Sequence, residues 1–228
     1  MDNQKLLPVP ELFKKSFELY KPRIWTMLLL GLIGSLGTMI IGGIFGIASF
    51  ATFIGGRVLP TFNLLTALLF LIGILLIIIL NLWVQIALFY MVKEENVKVS
   101  IKNLLLSVKE KMISYYWIAF LKGIVILVGL ILFIIPGIIF SIWFSFSQYV
   151  FVFEGIKGEK ALSRSKELVK GYFWPVLGRL VVLLVIMMLI SSISKLGFLI
   201  NSLITMPFGI IYIYVIYEDL KRIRSSKI

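Results

Sequence analysis

Six long stretches of this chain run continuously apolar, at about Ile24–Ile54, Leu64–Val92, Ile113–Ile135, Ile138–Phe153, Val176–Ser194 and Phe198–Tyr217. A bilayer core about 30 Å thick takes roughly 20 residues of helix. Open strands cannot cross it, because their unpaired backbone groups would face hydrocarbon. The runs do not alternate apolar with polar, so they read as helices rather than barrel strands. With 60% of 228 residues hydrophobic and only 15% charged, too little polar surface is left for a soluble domain. The expected fold is therefore all-α and polytopic, a single integral membrane domain over residues 1–228. The first run, 31 residues or about 46 Å of helix, is too long for a straight crossing. It is expected to tilt, to break near Gly42–Gly43, or to end in a short piece on the far side.

Charge sets the expected orientation. Lys5, Lys14, Lys15, Lys21 and Arg23 precede the first run, and Lys93, Lys98, Lys102, Lys109 and Lys111 follow the second. Lys157, Lys160, Arg164, Lys166 and Lys170 follow the fourth, and Lys221, Arg222, Arg224 and Lys227 close the chain. The opposite side carries only Arg57 and Lys195, and all 11 Asp and Glu share the basic side. Basic loops are retained in the cytoplasm, which predicts two cytoplasmic termini in a bacterial cytoplasmic membrane. The chain enters a polar amphipathic segment rather than a short apolar core with a cleavage site, so no cleavable signal peptide is expected. The net charge of +12 then points to anionic phospholipids and not to nucleic acid.

A second pattern overlies the first. Three basic amphipathic stretches each lead through a Trp-containing girdle into a pair of apolar runs, dividing the chain into units of about 11–92, 99–153 and 159–217. Phe13, Phe17, Tyr20 and Ile24 form one helical stripe; Ile101, Leu104, Leu105, Val108 and Met112 a second; Ala161, Leu162, Ser165, Leu168 and Val169 a third. Such helices are expected to lie in the headgroup plane with the apolar face inward. Ser16 precedes Trp25, and Ser165 precedes Trp174, by nine residues each, and Ser107 stands nine before Tyr116. Two readings fit: a three-fold helix-plus-hairpin pseudo-repeat about the membrane normal, or the generic succession of basic, aromatic and apolar residues at any cytoplasmic loop.

Within the runs, Gly34, Thr38, Gly42 and Gly46 recur every four residues and would let another backbone approach, either a neighbouring span or a second copy. Asn81 and Gln85 share one face of the second run. Gln85, Lys122, Gln148 and Arg179 fall at similar depth from the basic side. They either form one polar pocket for a lipid phosphate or other anion, or they separate, with the two cations snorkelling and the amides bonding neighbouring helices. Pro136-Gly137 marks an outer hairpin, and Pro207 should kink the last run. No carboxylate lies inside a run, which argues against a proton-coupled pump. With no His and no Cys there is no usual general base and no common zinc site, so neither metal nor cofactor is expected. Glu94-Glu95 sits in a Lys-rich loop without a partner motif and reads as a solvated face. The chain reads as a non-enzyme.

The run Ile135-Pro136-Gly137, then Trp143, Glu154-Gly155, Gly158, Ala161-Leu162, Ser165, Leu168 and Gly171, with Tyr217-Glu218-Asp219-Leu220-Lys221 at the end, carries a further signal. It resembles the superfamily that includes the membrane domain of some bacterial glycerophosphoryl diester phosphodiesterases and related six-span proteins. The resemblance implies the fold and an accessory or transport-like role. The phosphodiester chemistry of that group resides in a separate soluble domain, whose metal-binding His and carboxylates this chain lacks. The leading expectation is a membrane module for lipid homeostasis or amphiphile handling. The alternatives are a permease subunit served by a separate ATPase subunit and a structural or immunity-type protein that binds another membrane protein.

Overall fold

The computed structural model describes residues 5–55, 61–94, 101–193 and 200–225. Arg57, Glu95, Lys98, Lys195 and Lys227, named above, lie outside them. The described chain is all-α: α1 Val9–Tyr20, α2 Ile24–Gly55, α3 Thr61–Lys93, α4 Ile101–Lys109, α5 Met112–Leu132, α6 Ile134–Trp143, α7 Ser147–Tyr149, α8 Glu159–Val169, α9 Phe173–Ile193 and α10 Met206–Ser225. Six helical stretches among the described residues are long and apolar enough to cross a membrane, and the chain is a multi-pass membrane protein. The order is three times an amphipathic helix (α1, α4, α8) followed by long apolar ones.

How these pieces pack is not the order of the chain. α2 and α3 form a close antiparallel pair, as do α5 and α6. α9 and α10 touch far less, and α10 instead takes α1 along its length. α4 lies on α3, α8 on the α6–α7 span, and α1 on α10. Each amphipathic helix thus rests on the last long helix of the preceding unit, with α1 closing the circle. α10 is the central post: both faces are buried, from Pro207 through Ile223.

The amphipathic helices therefore meet protein and not only lipid. Ala161, Ser165, Leu168 and Val169 of α8 are fully buried. On α1 the buried face is Leu12, Ser16 and Tyr20, while Phe17 of the expected stripe is exposed. The exposed Phe17, Trp25, Leu106, Ile113, Trp117 and Trp174 make an aromatic and aliphatic belt at that end, suited to a membrane interface.

Three local expectations take a specific form in the structure. α2 is one unbroken helix of 32 residues, with no break at Gly42–Gly43; helical glycine costs only about 1 kcal/mol, too little to interrupt so long a ladder in lipid. The α5–α6 reversal exists, but its turning residue is Phe133, whose backbone is extended at φ −162°. Pro136 and Gly137 sit inside the first turn of α6, where a proline's missing N–H costs nothing. Gly137 is there for closeness: a Cβ on it would lie 2.9 Å from the Leu130 backbone nitrogen. Pro207 acts through a π-helical turn over Asn201–Thr205 that precedes it, since its ring displaces the carbonyl four residues back and the chain widens to accommodate it.

The fourth span is the most broken. Its helix stops at Trp143, passes through Phe144–Phe146, restarts as α7 and runs into a π-helical turn, Val150–Glu154. Ser165 of α8 mends the gap: its hydroxyl donates to the Trp143 carbonyl at 2.7 Å and accepts from the Phe146 N–H at 3.1 Å. Satisfying both a donor and an acceptor at once removes the cost of leaving them unpaired in a buried place. Gly155 (φ 73°) and Gly158 (φ 60°) then fold the chain back so that α8 reaches this position. Glu154 fixes the same corner, accepting from the Tyr217 hydroxyl at 2.7 Å and from Arg164 Nε at 3.2 Å. Part-burial lowers the Arg164 pKa, and the bonds to Glu154 and Glu167 outweigh it, leaving the group raised.

A candidate ligand cavity between the long helices

Small residues hollow out the bundle where α2, α3, α9 and α10 converge. Gly31, Gly34 and Ser35 on α2 face Val84 and Leu88 on α3, and Gly209 on α10 faces Met187 on α9. The missing side chains leave a cavity of about 420 Å³, within the range of small-molecule sites. A Cβ on Gly209 would lie 2.4 Å from Met187 Cε, so glycine is what seats that thioether.

The walls are of two kinds. Leu183, Met187, Ile210 and Ile213 make one side apolar. Ser35, Thr38, Asn81 and Gln85 make the other polar, and no charged side chain lines it. Asn81 Nδ2 donates to Thr38 Oγ1 at 3.0 Å and to the Ile77 carbonyl at 2.9 Å, which ties α3 to α2 and aims the amide. Ser35 donates to the Gly31 carbonyl at 2.8 Å. Gln85, one turn from Asn81, makes no hydrogen bond among the described residues. Its donor and acceptor are therefore available to a ligand that enters the cavity. The cavity can hold an apolar chain that carries an uncharged hydrogen-bonding group.

Of the four polar residues matched by depth, this cavity receives Gln85 alone. Lys122 stands half-buried on α5, and Gln148 half-buried in α7 just past the break in the fourth span; neither makes a hydrogen bond among the described residues. Arg179 is engaged elsewhere. Its Nε and Nη2 donate to the Leu7 carbonyl at 3.1 and 2.6 Å, its Nη2 also reaches the Leu6 carbonyl at 3.0 Å, and its Nη1 reaches Pro175 at 2.8 Å. The Leu7 N–H in turn donates to the buried Asp219 at 2.7 Å. Arg179 thus clamps the segment ahead of α1 against α9 and α10, and a guanidinium spent on carbonyls has little left for a headgroup. Depth counted along separate helices does not reveal such a long-range partner.

The four-residue stripe on α2 divides as well. Gly34 and Thr38 line the cavity; Gly42 nears only Ile77; a Cβ on Gly46 would meet nothing within 4 Å. The tight α2–α3 contacts use Gly37 against Leu80 and Gly73 against Phe45, where an added Cβ would come within 2.4 and 2.7 Å. Both stand off the four-residue register, and each is a small residue opposite a large one. Among the described residues no group of three or more His, Cys, Asp or Glu is placed to hold a metal ion. No family model, curated protein or solved structure matches the chain.

Proposed function

We propose that the protein is a non-enzymatic membrane module that binds an amphiphile, in a bacterial cytoplasmic membrane with both termini in the cytoplasm. The observation that carries this reading is the neutral, two-sided cavity: an apolar wall from α9 and α10 facing the Asn81–Gln85 amide pair. Its fitting ligand has an apolar chain and an uncharged ester, amide or hydroxyl group. The resemblance to the membrane-domain superfamily described above agrees with an accessory role in lipid handling. The distribution of basic residues supports the orientation.

The test uses a photoreactive diacylglycerol in nanodiscs of the full chain, with adducts mapped by peptide mass spectrometry. Adducts should concentrate on cavity-lining peptides of α2, α3 and α10. Joint replacement Asn81→Leu and Gln85→Leu should reduce them about tenfold, the worth of one to two net hydrogen bonds. Labelling spread over lipid-facing positions such as Ile47 and Leu71, and unmoved by the double variant, overturns the reading. A stoichiometric protein partner retained in native mass spectrometry would favour the permease-subunit or interaction-protein alternative instead.

A further inference from the structure

A second hollow of about 310 Å³ lies at the basic end and shares no residue with the first. Its walls come from all three units: Arg23 after α1, Lys93 and Glu94 at the end of α3, Phe153 in the fourth span, and Ile211 and Tyr214 on α10. The two cations are held in place by neutral carbonyls. Arg23 Nη1 donates to Leu19 at 3.2 Å and Nη2 to the Glu94 carbonyl at 2.9 Å, while Lys93 Nζ donates to Val152 at 2.7 Å. Carbonyl bonds fix geometry but leave the charge in place.

Neither cation forms an ion pair among the described residues; the pairs there are Arg164 with Glu154 and Glu167, and Arg222 with Asp219. Glu94 shares the wall without pairing with either. Arg23 Nε is shielded from solvent and has no hydrogen-bond partner among the described residues. A guanidinium has five N–H and an ammonium three, so most of the donors on this pair are unspent. Two fixed cations of this kind, Arg23 half-buried and Lys93 exposed, outnumber the single carboxylate of Glu94 in the wall and are stabilised by an anion that accepts several bonds at once. The arginine fork and the lysine point charge together suit a tetrahedral oxyanion, with Phe153 and Ile211 beside it for adjoining carbon.

We propose that Arg23 and Lys93 hold a phosphate group, mono- or diester, in this hollow. The phosphate is either the headgroup of an anionic phospholipid or a free phosphate from the aqueous side. The assignment rests on these two cations and stands whether or not the apolar cavity binds an amphiphile.

The full chain is placed in phosphatidylcholine nanodiscs and its thermal stability followed against inorganic phosphate. In parallel, nanodiscs containing phosphatidylglycerol are released into native mass spectrometry and the retained lipid counted. Lys93→Gln is the main variant, since Lys93 is exposed and glutamine keeps an N–H donor for the Val152 carbonyl; Arg23→Gln is the second, and Lys14→Gln, an exposed cation on α1, is the control. Lys93→Gln should weaken whichever probe binds about tenfold, with Lys14→Gln within twofold of the parent. A phosphate response in phosphatidylcholine assigns a free anion; retained phosphatidylglycerol without that response assigns a headgroup. If the parent protein binds neither probe, or Lys14→Gln weakens binding as much as Lys93→Gln, the site does not exist.

Discussion

From Ile86 to Val92 every residue of α3 is buried, whereas Leu64, Leu68, Leu71, Leu75 and Ile79 of the same helix stand exposed. Both halves are apolar, yet one is enclosed by protein and the other open to lipid. The enclosed end is built from rings and hydroxyls. Tyr149 stacks on Tyr217 and Phe153, lies against Phe89, and donates its hydroxyl to the Ile210 carbonyl at 2.8 Å. The open end has the α2–α3 pair, locked by glycine–large contacts and a Thr66–Thr52 hydroxyl bond at 2.6 Å. Lipid tails are as apolar as leucine, so exposed aliphatic surface carries no penalty there. What has to be specified by exact partners is the end where the chain meets water and three amphipathic helices must dock.

If that contrast is right, the largest loss comes from the enclosed end. Tyr149→Ala removes a fully buried ring and one buried bond, and should destabilise by about 3–5 kcal/mol in denaturant titration of the detergent-solubilised protein. Ile47→Ala, a 73% exposed position in α2, should change the midpoint by less than about 0.5 kcal/mol in the same assay. Comparable losses at the two sites would erase the distinction.

Next comes the mended break. Ser165→Ala strands the Trp143 carbonyl and the Phe146 N–H and should cost about 1–3 kcal/mol. Hydrogen exchange should quicken over Phe144–Phe146 while the α2–α3 pair keeps its protection. Uniformly faster exchange would mean that the two ends unfold as one unit.

A last pair of substitutions sharpens the contrast inside the open end. Gly73→Ala drives a Cβ to 2.7 Å from Phe45 and should destabilise by about 1–3 kcal/mol. Gly46→Ala meets nothing and should be neutral or stabilising by up to about 1 kcal/mol through helix propensity. The opposite ranking in thermal unfolding would show that the α2–α3 register differs from the one described.

The apolar runs, the amphipathic stretches and the exposed Trp25, Trp117 and Trp174 could be read directly, because each follows from local hydropathy and its period. The candidate cavity could be read only in part. Asn81 and Gln85 are four apart on one helix and their shared face is local geometry. Ser35, Met187 and Gly209 join them only through tertiary contact. Arg179 shows the limit most plainly: its partners, Leu6 and Leu7, lie 173 and 172 residues away. Ser16, Ser107 and Ser165 hold matching positions in the sequence, yet Ser16 and Ser107 bond carbonyls of their own helices and Ser165 alone bridges to a neighbour.

The sequence by itself determined that this chain leaves water as six helices, with three amphipathic ones at a basic end. Hydropathy measures the free energy of leaving water, and that quantity is nearly the same whether a leucine leaves for a lipid tail or for another helix. Which faces meet each other, that α10 stands at the centre with α1 against it, and that the amides of α3 border a neutral cavity were decided by tertiary packing. There the differences are set by side-chain volume and by the partners available to each buried donor and acceptor.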